Sequence, residues 1–315
     1  MRKLFGIPFP SLAALLLLPA LSALPAGGPA LAGEVNVVAS VPDLGDMASR
    51  IGGDRVKVTV LASGREDLHG VPVRPSFIPK LHKADLLLSL GLDAEHAWLP
   101  ALAADARNNR IREGREGWIE VYPGIGILGA PQVISRAEGE QHPQGNPHFN
   151  IGPQCGRIMA GNVARALAGF DPDGAGAYEA GLAAYLAEIE PAVERLRAEG
   201  APLQGVKVIS YHADIPYLAE FYGMEVVGTL EPKPGIEPSA GHLAELAAVA
   251  ATRGVRLVIH NQAQPSKLPG QFAERIGAAD VMIGNMAGAL EEADTWLALQ
   301  RYNLRALLAG LESAP

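Results

Sequence analysis

The stretch Val35–Leu61, VNVVASVPDLGDMASRIGGDRVKVTVL, decides the fold. Val35 to Ser40 is a β-branched run that reads as a strand, Leu44 to Ile51 reads as an amphipathic helix, and Val56 to Leu61 reads as a second strand. A strand, a helix and a strand joined by such short links form a βα unit of a mostly parallel sheet. The pattern continues outward, with a helix at Ser76 to His82, a strand at Leu86 to Leu90 and a helix at Ala94 to Ala104. Periodicity then disappears between Tyr122 and Pro147, where Gly, Pro and Gln dominate. Stretches of this kind inside a compact chain are usually functional or mobile. A helix follows at Pro153 to Ala168, and Asp171-Pro172-Asp173 caps a second one running to Glu199, roughly 40 Å long at the usual helical rise. Beyond it come strands at Val206 to Ser210, Glu225 to Thr229, Val255 to Ile259 and Val281 to Ile283. They alternate with helices at Ile215 to Tyr222, Ser239 to Thr252 and Lys267 to Ile276, and a last helix begins near Gly288. The expected architecture is α/β, with two lobes of mostly parallel sheet flanking one long helix. The lobes span residues 33–170 and 201–315 and the helix 171–200. No sequence repeat relates the two halves.

The 315 residues are enough for two lobes that each bury a core. The 36 glycines and 25 prolines are scattered singly and mark turns rather than a disordered tract. Residues 1–32 read as a cleavable signal peptide: Arg2 and Lys3 are basic, Leu12 to Leu21 is apolar, and Ala30-Leu31-Ala32 offers small residues at a cleavage site. The apolar run contains Pro19 and is short for a bilayer span. The expected location is therefore the periplasm. With 34 acidic against 26 basic residues, two of the basic ones in the leader, the chain carries no electrostatic footprint for nucleic acid. Its single cysteine, Cys155, excludes an internal disulfide framework and a cysteine-only zinc site, and reads as a small buried hydrophobe.

Three histidines stand in loops at the carboxyl ends of strands, where open α/β sheets place their ligands. His69 lies in Gly64-Arg65-Glu66-Asp67-Leu68-His69-Gly70, His148 in Gly145-Asn146-Pro147-His148-Phe149, and His212 in Ser210-Tyr211-His212-Ala213. Neutral imidazoles suit zinc, three of them leaving a fourth position open. Their long separations form no local motif, so spacing alone leaves capping or surface histidines as the alternative. Of the others, His82, His96 and His242 read as members of solvated helix faces, and His260 as a satisfied buried histidine rather than a ligand. His142, six residues before His148, is a candidate low-affinity metal contact in a segment that meets metal first, or part of a plain connecting loop.

A set of short motifs resembles the periplasmic solute-binding proteins of zinc and manganese ATP-driven importers, the zinc-uptake type in particular. They run from Val37-Val38-Ala39-Ser40-Val41-Pro42-Asp43-Leu44 through Ile51-Gly52-Gly53-Asp54-Arg55-Val56 and Asp67-Leu68-His69 to Asn146-Pro147-His148. Phe170-Asp171-Pro172, Ser210-Tyr211-His212, Tyr222-Gly223-Met224-Glu225, Glu237-Pro238-Ser239 and Arg301-Tyr302-Asn303-Leu304 continue the series. Their order and spacing carry the resemblance over residues 34–313. It implies two lobes joined by a rigid backbone helix, a metal bound in the cleft between them, and His69, His148 and His212 as ligands. It also implies delivery of zinc, with manganese the lesser alternative, to an inner-membrane permease by a monomer, with a periplasmic metallochaperone as a further partner. The family's fourth ligand is usually an acid after the last strand or beside the first histidine. Here Ile283-Gly284-Asn285-Met286 offers Asn285, and Leu68 precedes His69, leaving water, Asn285, Glu66, Asp67 and His260 as alternatives. Without a carboxylate the metal's charge is uncompensated and the donor set favours zinc over oxygen-preferring manganese.

An open metal position also raises the case of a metal-dependent hydrolase. Such an enzyme needs a general base beside the metal, as in His-Glu-x-x-His, and the chain holds neither that motif nor Gly-x-Ser-x-Gly. A binding protein for metal, or for a chelated metal, is the expected function, and an enzyme is not.

Overall fold

In the computed structural model two four-stranded sheets are built the same way. The first has the order β2-β1-β3-β4 and the second β6-β5-β7-β8, and every neighbouring pair in both is parallel. The structure describes residues 34–131, 142–265 and 267–315; the signal-peptide reading of residues 1–32 and the stretch Glu138–Gln141 lie outside them. Sheet one comprises β1 (Val35–Ala39), β2 (Val56–Val60), β3 (Leu86–Ser89) and β4 (Trp118–Glu120). Sheet two comprises β5 (Lys207–Ser210), β6 (Glu225–Thr229), β7 (Leu257–Asn261) and β8 (Ala279–Ile283). In each, the chain steps outward from the first strand to the second, then crosses to the first strand's other side. That reversal is the switch point at which open α/β sheets bind ligands. The topology repeats although the sequence does not.

The central strands are covered on both faces and read as continuous apolar runs. Every residue of β3 and of β7 is buried. Val37 of β1 stands opposite Leu86 of β3, and Val208 of β5 opposite Leu257 of β7. The helices are α1 (Pro42–Gly52), α2 (Ile78–His82), α3 (Leu99–Asp105), α4 (Gly156–Phe170), α5 (Ala175–Glu199), α6 (Pro216–Tyr222), α7 (Ala240–Arg253), α8 (Lys267–Ile276) and α9 (Trp296–Ser313). Helix α5 is the long connecting helix, and it buries one stripe of Tyr178, Tyr185, Ile189, Ala192 and Leu196. Pro191 lies inside it, where the ring removes one backbone hydrogen bond without ending the helix. Asp171, just ahead of it, accepts hydrogen bonds from Arg55 and from the Tyr178 hydroxyl, which ties the start of the helix to the turn after α1.

Three elements differ from the sequence reading. The helix expected from Ala94 starts at Leu99, because Glu95 turns its buried carboxyl back onto the Leu90 and Gly91 amides and the Ser40 hydroxyl. The last helix starts at Trp296 rather than Gly288, with the Thr295 hydroxyl accepting from the Ala298 amide as its cap. The short strand β4 was not expected; it extends the first sheet by pairing Leu87, Leu88 and Ser89 with Trp118, Ile119 and Glu120.

The lobes meet through specific contacts. Ala287 donates its amide to Asp43, and Asn150 donates to the Asn285 carbonyl. The Trp296 indole, fully buried, donates to the Asn150 carbonyl, and its ring lies so close to Gly156 that a β-carbon there would sit 2.1 Å from it. Among the described residues no helix is long and apolar enough to cross a membrane.

Candidate metal centre

His69 follows β2 in a loop held from both sides. The Asp67 carboxylate accepts the His69 backbone amide at 3.0 Å, and the Trp98 indole donates to the Leu68 carbonyl at 3.0 Å. His148 opens a single 3-10 turn, His148–Ile151, after Pro147. Asn146 accepts both the His148 amide and its ring Nδ1, a local side-chain bond of the kind Asn readily makes two residues ahead. The other end of the same amide donates to the Ala213 carbonyl at 2.6 Å, which couples the His148 loop to the His212 loop. Tyr217 adds a second tie, donating its hydroxyl to the Asn146 carbonyl while accepting the Leu128 amide. His212 leaves the end of β5, where the Ser210 hydroxyl donates to its carbonyl at 2.6 Å.

These three loops bring the three histidines together. One ring nitrogen from each lies within 4.8 Å of the other two, and His69 and His148 are 8% and 5% exposed. Each Nδ1 faces an acceptor: the Ala94 carbonyl for His69, the Asn146 amide oxygen for His148, and the Glu231 carboxylate, 2.7 Å away, for His212. An Nδ1–H donated in each case leaves Nε2 as the lone-pair nitrogen, the form in which imidazole binds a metal. The Nε2 atoms of His69 and His148 lie 3.0 Å apart. Two lone pairs cannot face each other at that distance without a proton or a cation between them.

Burial, reinforced by the neighbouring rings of His69, His212 and His142, holds the pKa of His148 well below the ordinary histidine value. Burial also works against protonation of His212, but the Glu231 hydrogen bond, with the nearby charges of Asp214 and Asp67, outweighs it and raises that pKa. The pair forms a cleft with one imidazole kept neutral and another braced by an anion.

The remaining histidines sort by partner. His142 stacks on His69 with ring centroids 4.9 Å apart, and burial together with the other rings pushes its pKa down to about 3. The Leu92 backbone opposes that shift, and among the described residues neither ring nitrogen makes a well-formed hydrogen bond. His96 is exposed and its ring lies 6.0 Å from that of His142; His82 is exposed and bonds the Ala106 carbonyl. His242 was expected on a solvated face, but it is half-buried with Nε2 on the Thr229 carbonyl. His260 is 4% exposed and sits between the Asn261 carbonyl and Asp280.

Each acid or amide weighed as a fourth ligand already accepts a hydrogen bond. Glu66 is held by Arg74 and the Ser63 amide, Asp67 by the His69 amide, and Asn285 by Gln262, which donates to its side-chain oxygen at 2.5 Å. Two residues that matter to the geometry, Asn146 and Glu231, had no role in the sequence reading. Glu231 lies just beyond the carboxyl end of β6, the neighbour of β5 in the sheet, so the placement that singled out the histidines marks it too.

The chain is similar to known proteins over most of its length. The chain is 24% identical over 283 residues to the "High-affinity zinc uptake system protein ZnuA" of Bacillus subtilis, covering 87% of this chain and 86% of that one. It is 21% identical over 286 residues to the "Manganese ABC transporter substrate-binding lipoprotein scaA" of Streptococcus gordonii, covering 88% and 89%. A crystal structure of a zinc-bound ZnuA deletion mutant superposes with a TM-score of 0.74 at 27% identity, covering 90% of this chain and 100% of the other. Residues 37–310 match the family described as zinc-uptake complex component A, periplasmic, and the chain belongs to that ZnuA family.

Proposed function

We propose that this chain is a periplasmic binding protein that captures one zinc ion through His69, His148 and His212 and hands it to an ATP-driven importer in the inner membrane. The observation that carries the reading is the 3.0 Å approach of the His69 and His148 Nε2 atoms, with His212 beside them and every Nδ1 committed to an acceptor. Such a donor set suits zinc, because imidazole nitrogen matches it and, among the described residues, no carboxylate oxygen joins the cluster to favour manganese. Manganese is the second reading, favoured by the manganese transporter relative from Streptococcus gordonii. The family is one of binding proteins rather than enzymes, and zinc here is cargo. In this reading the protein is exported by residues 1–32 and works as a monomer. Its lobes divide at residues 170 and 200, a division supported by the two separate sheets on either side of α5 in the chain.

The test is metal analysis of protein purified without chelators, followed by calorimetry. We expect about one zinc per chain and, for each of His69→Ala, His148→Ala and His212→Ala, at least a tenfold loss of zinc affinity, ~1.4 kcal/mol. No turnover of ester or phosphate substrates should accompany binding. Unchanged affinity in all three variants would remove the assignment.

A further inference from the structure

We propose that Glu231 is the positioning residue of the metal site, orienting His212 through Nδ1 and supplying, one imidazole away, the negative charge that the bound cation needs. The proposal rests on the three-histidine reading above and deepens it. The three rings are not held alike. His69 and His148 face neutral acceptors, a carbonyl and an amide oxygen, whereas His212 faces a carboxylate at 2.7 Å. A cation on Nε2 withdraws electron density from the ring and makes Nδ1–H a stronger donor, so a carboxylate there strengthens its bond as the metal arrives.

The Glu231 carboxylate is preset for this. Its backbone amide donates to the Tyr211 carbonyl at 2.9 Å, its carbonyl accepts the Thr229 hydroxyl at 2.6 Å, and the Gly235 amide reaches the same carboxylate oxygen that His212 uses. The residue is therefore pinned to the β5–β6 end of the second sheet, directly beside the His212 loop. Other acids close by are committed differently: Asp214 accepts from Asn261 and Gln264, and Asp67 accepts the His69 amide. Because the charge acts through an imidazole, it compensates the ion without offering an oxygen ligand. That arrangement keeps the site suited to zinc rather than to an ion that seeks carboxylate oxygen.

Glu231→Gln separates the charge from the shape, since the amide oxygen can still accept Nδ1–H. Zinc calorimetry on the full chain should show Glu231→Gln weaker than wild type by about 10- to 100-fold. The melting temperature of the metal-free protein should stay at the wild-type value, and Glu231→Asp, which keeps the charge, should recover affinity to within about tenfold of wild type. Glu231→Gln binding zinc within about threefold of wild type would overturn the proposal, and so would an equal loss in both variants. Should Glu231→Gln lower the metal-free melting temperature, Glu231→Asp decides alone: affinity within about tenfold of wild type supports the proposal and a larger loss overturns it. Wild-type protein that binds no zinc at all would instead bring down the three-histidine reading, and this proposal with it.

Discussion

Asn285 stands where an acidic ligand is expected from the family resemblance, and the structure commits it elsewhere. Only 6% exposed, it accepts from the Gln262 side chain at 2.5 Å, while its backbone amide donates to the other end of the same Gln262 amide and its carbonyl accepts from Asn150. Asn285→Ala should therefore leave zinc affinity within about threefold of wild type and cost roughly 1 kcal/mol of stability for the lost hydrogen bond. A tenfold loss of zinc affinity by calorimetry would instead make the amide a ligand. Asn285→Asp places a carboxylate where Gln262 can still donate to it. With that contact kept, the carboxylate stays off the ion as the amide does, and zinc affinity should remain within about threefold of wild type. A selective gain for manganese, which prefers carboxylate oxygen, would contradict this.

At the scale of elements, the loop after β2 and the loop after β8 touch backbone to backbone. A β-carbon on Gly64 would lie 2.0 Å from the Ala287 carbonyl oxygen and 2.4 Å from the Gly288 carbonyl carbon, and Gln262 donates to the Gly64 carbonyl. Neither backbone segment can yield as a flexible side chain would. Gly64→Ala should thus destabilise the metal-free protein by about 1–3 kcal/mol in urea denaturation, and a wild-type midpoint would show that the loops move apart freely. This contact was invisible in the sequence, whereas the strands were plain in it, because buried parallel strands are written as continuous apolar runs such as Leu86 to Leu88. That the three histidines converge was legible, because strand ends are where the loops of an α/β sheet meet. Their partners were not, since what places Asn146 against Ala213 or Glu231 against His212 is tertiary approach across 67 and 19 residues. The misplaced start of α3 has the same origin, since Glu95 is drawn to the Ser40 hydroxyl across 55 residues; ahead of α9 the residues between Gly288 and Thr295 form turns rather than a helical face.

Across the whole molecule, two buried acids set a pH dependence of their own. Burial raises Asp43 and Glu95 each to about 7, against the opposing pull of the hydrogen bonds they accept. Between the ordinary carboxyl pKa and about 7 the folded chain holds protons that the unfolded chain has lost, so this contribution to stability is present at low pH and disappears as the pH rises through about 7. His148, held low, works the other way and loses its contribution as the pH falls through the ordinary histidine value. Comparing Asp43→Asn with wild type isolates the first effect. Between pH 5 and pH 8 the difference in urea stability should shift toward the variant by about 1–3 kcal/mol, and no shift would mean that Asp43 ionises freely when folded. Zinc adds a separate increment, because the unfolded chain has no assembled site. At free zinc of about 100 times the dissociation constant the gain should be roughly 2.7 kcal/mol, fading as the pH falls through the raised pKa of His212, the first ligand to protonate. Anomalous diffraction at the zinc edge from crystals of the loaded protein locates the ion itself. A single peak about 2.0–2.1 Å from the Nε2 atoms of His69, His148 and His212 is the expected result. A peak that leaves any of the three uncoordinated, or that lies elsewhere in the molecule, would contradict it.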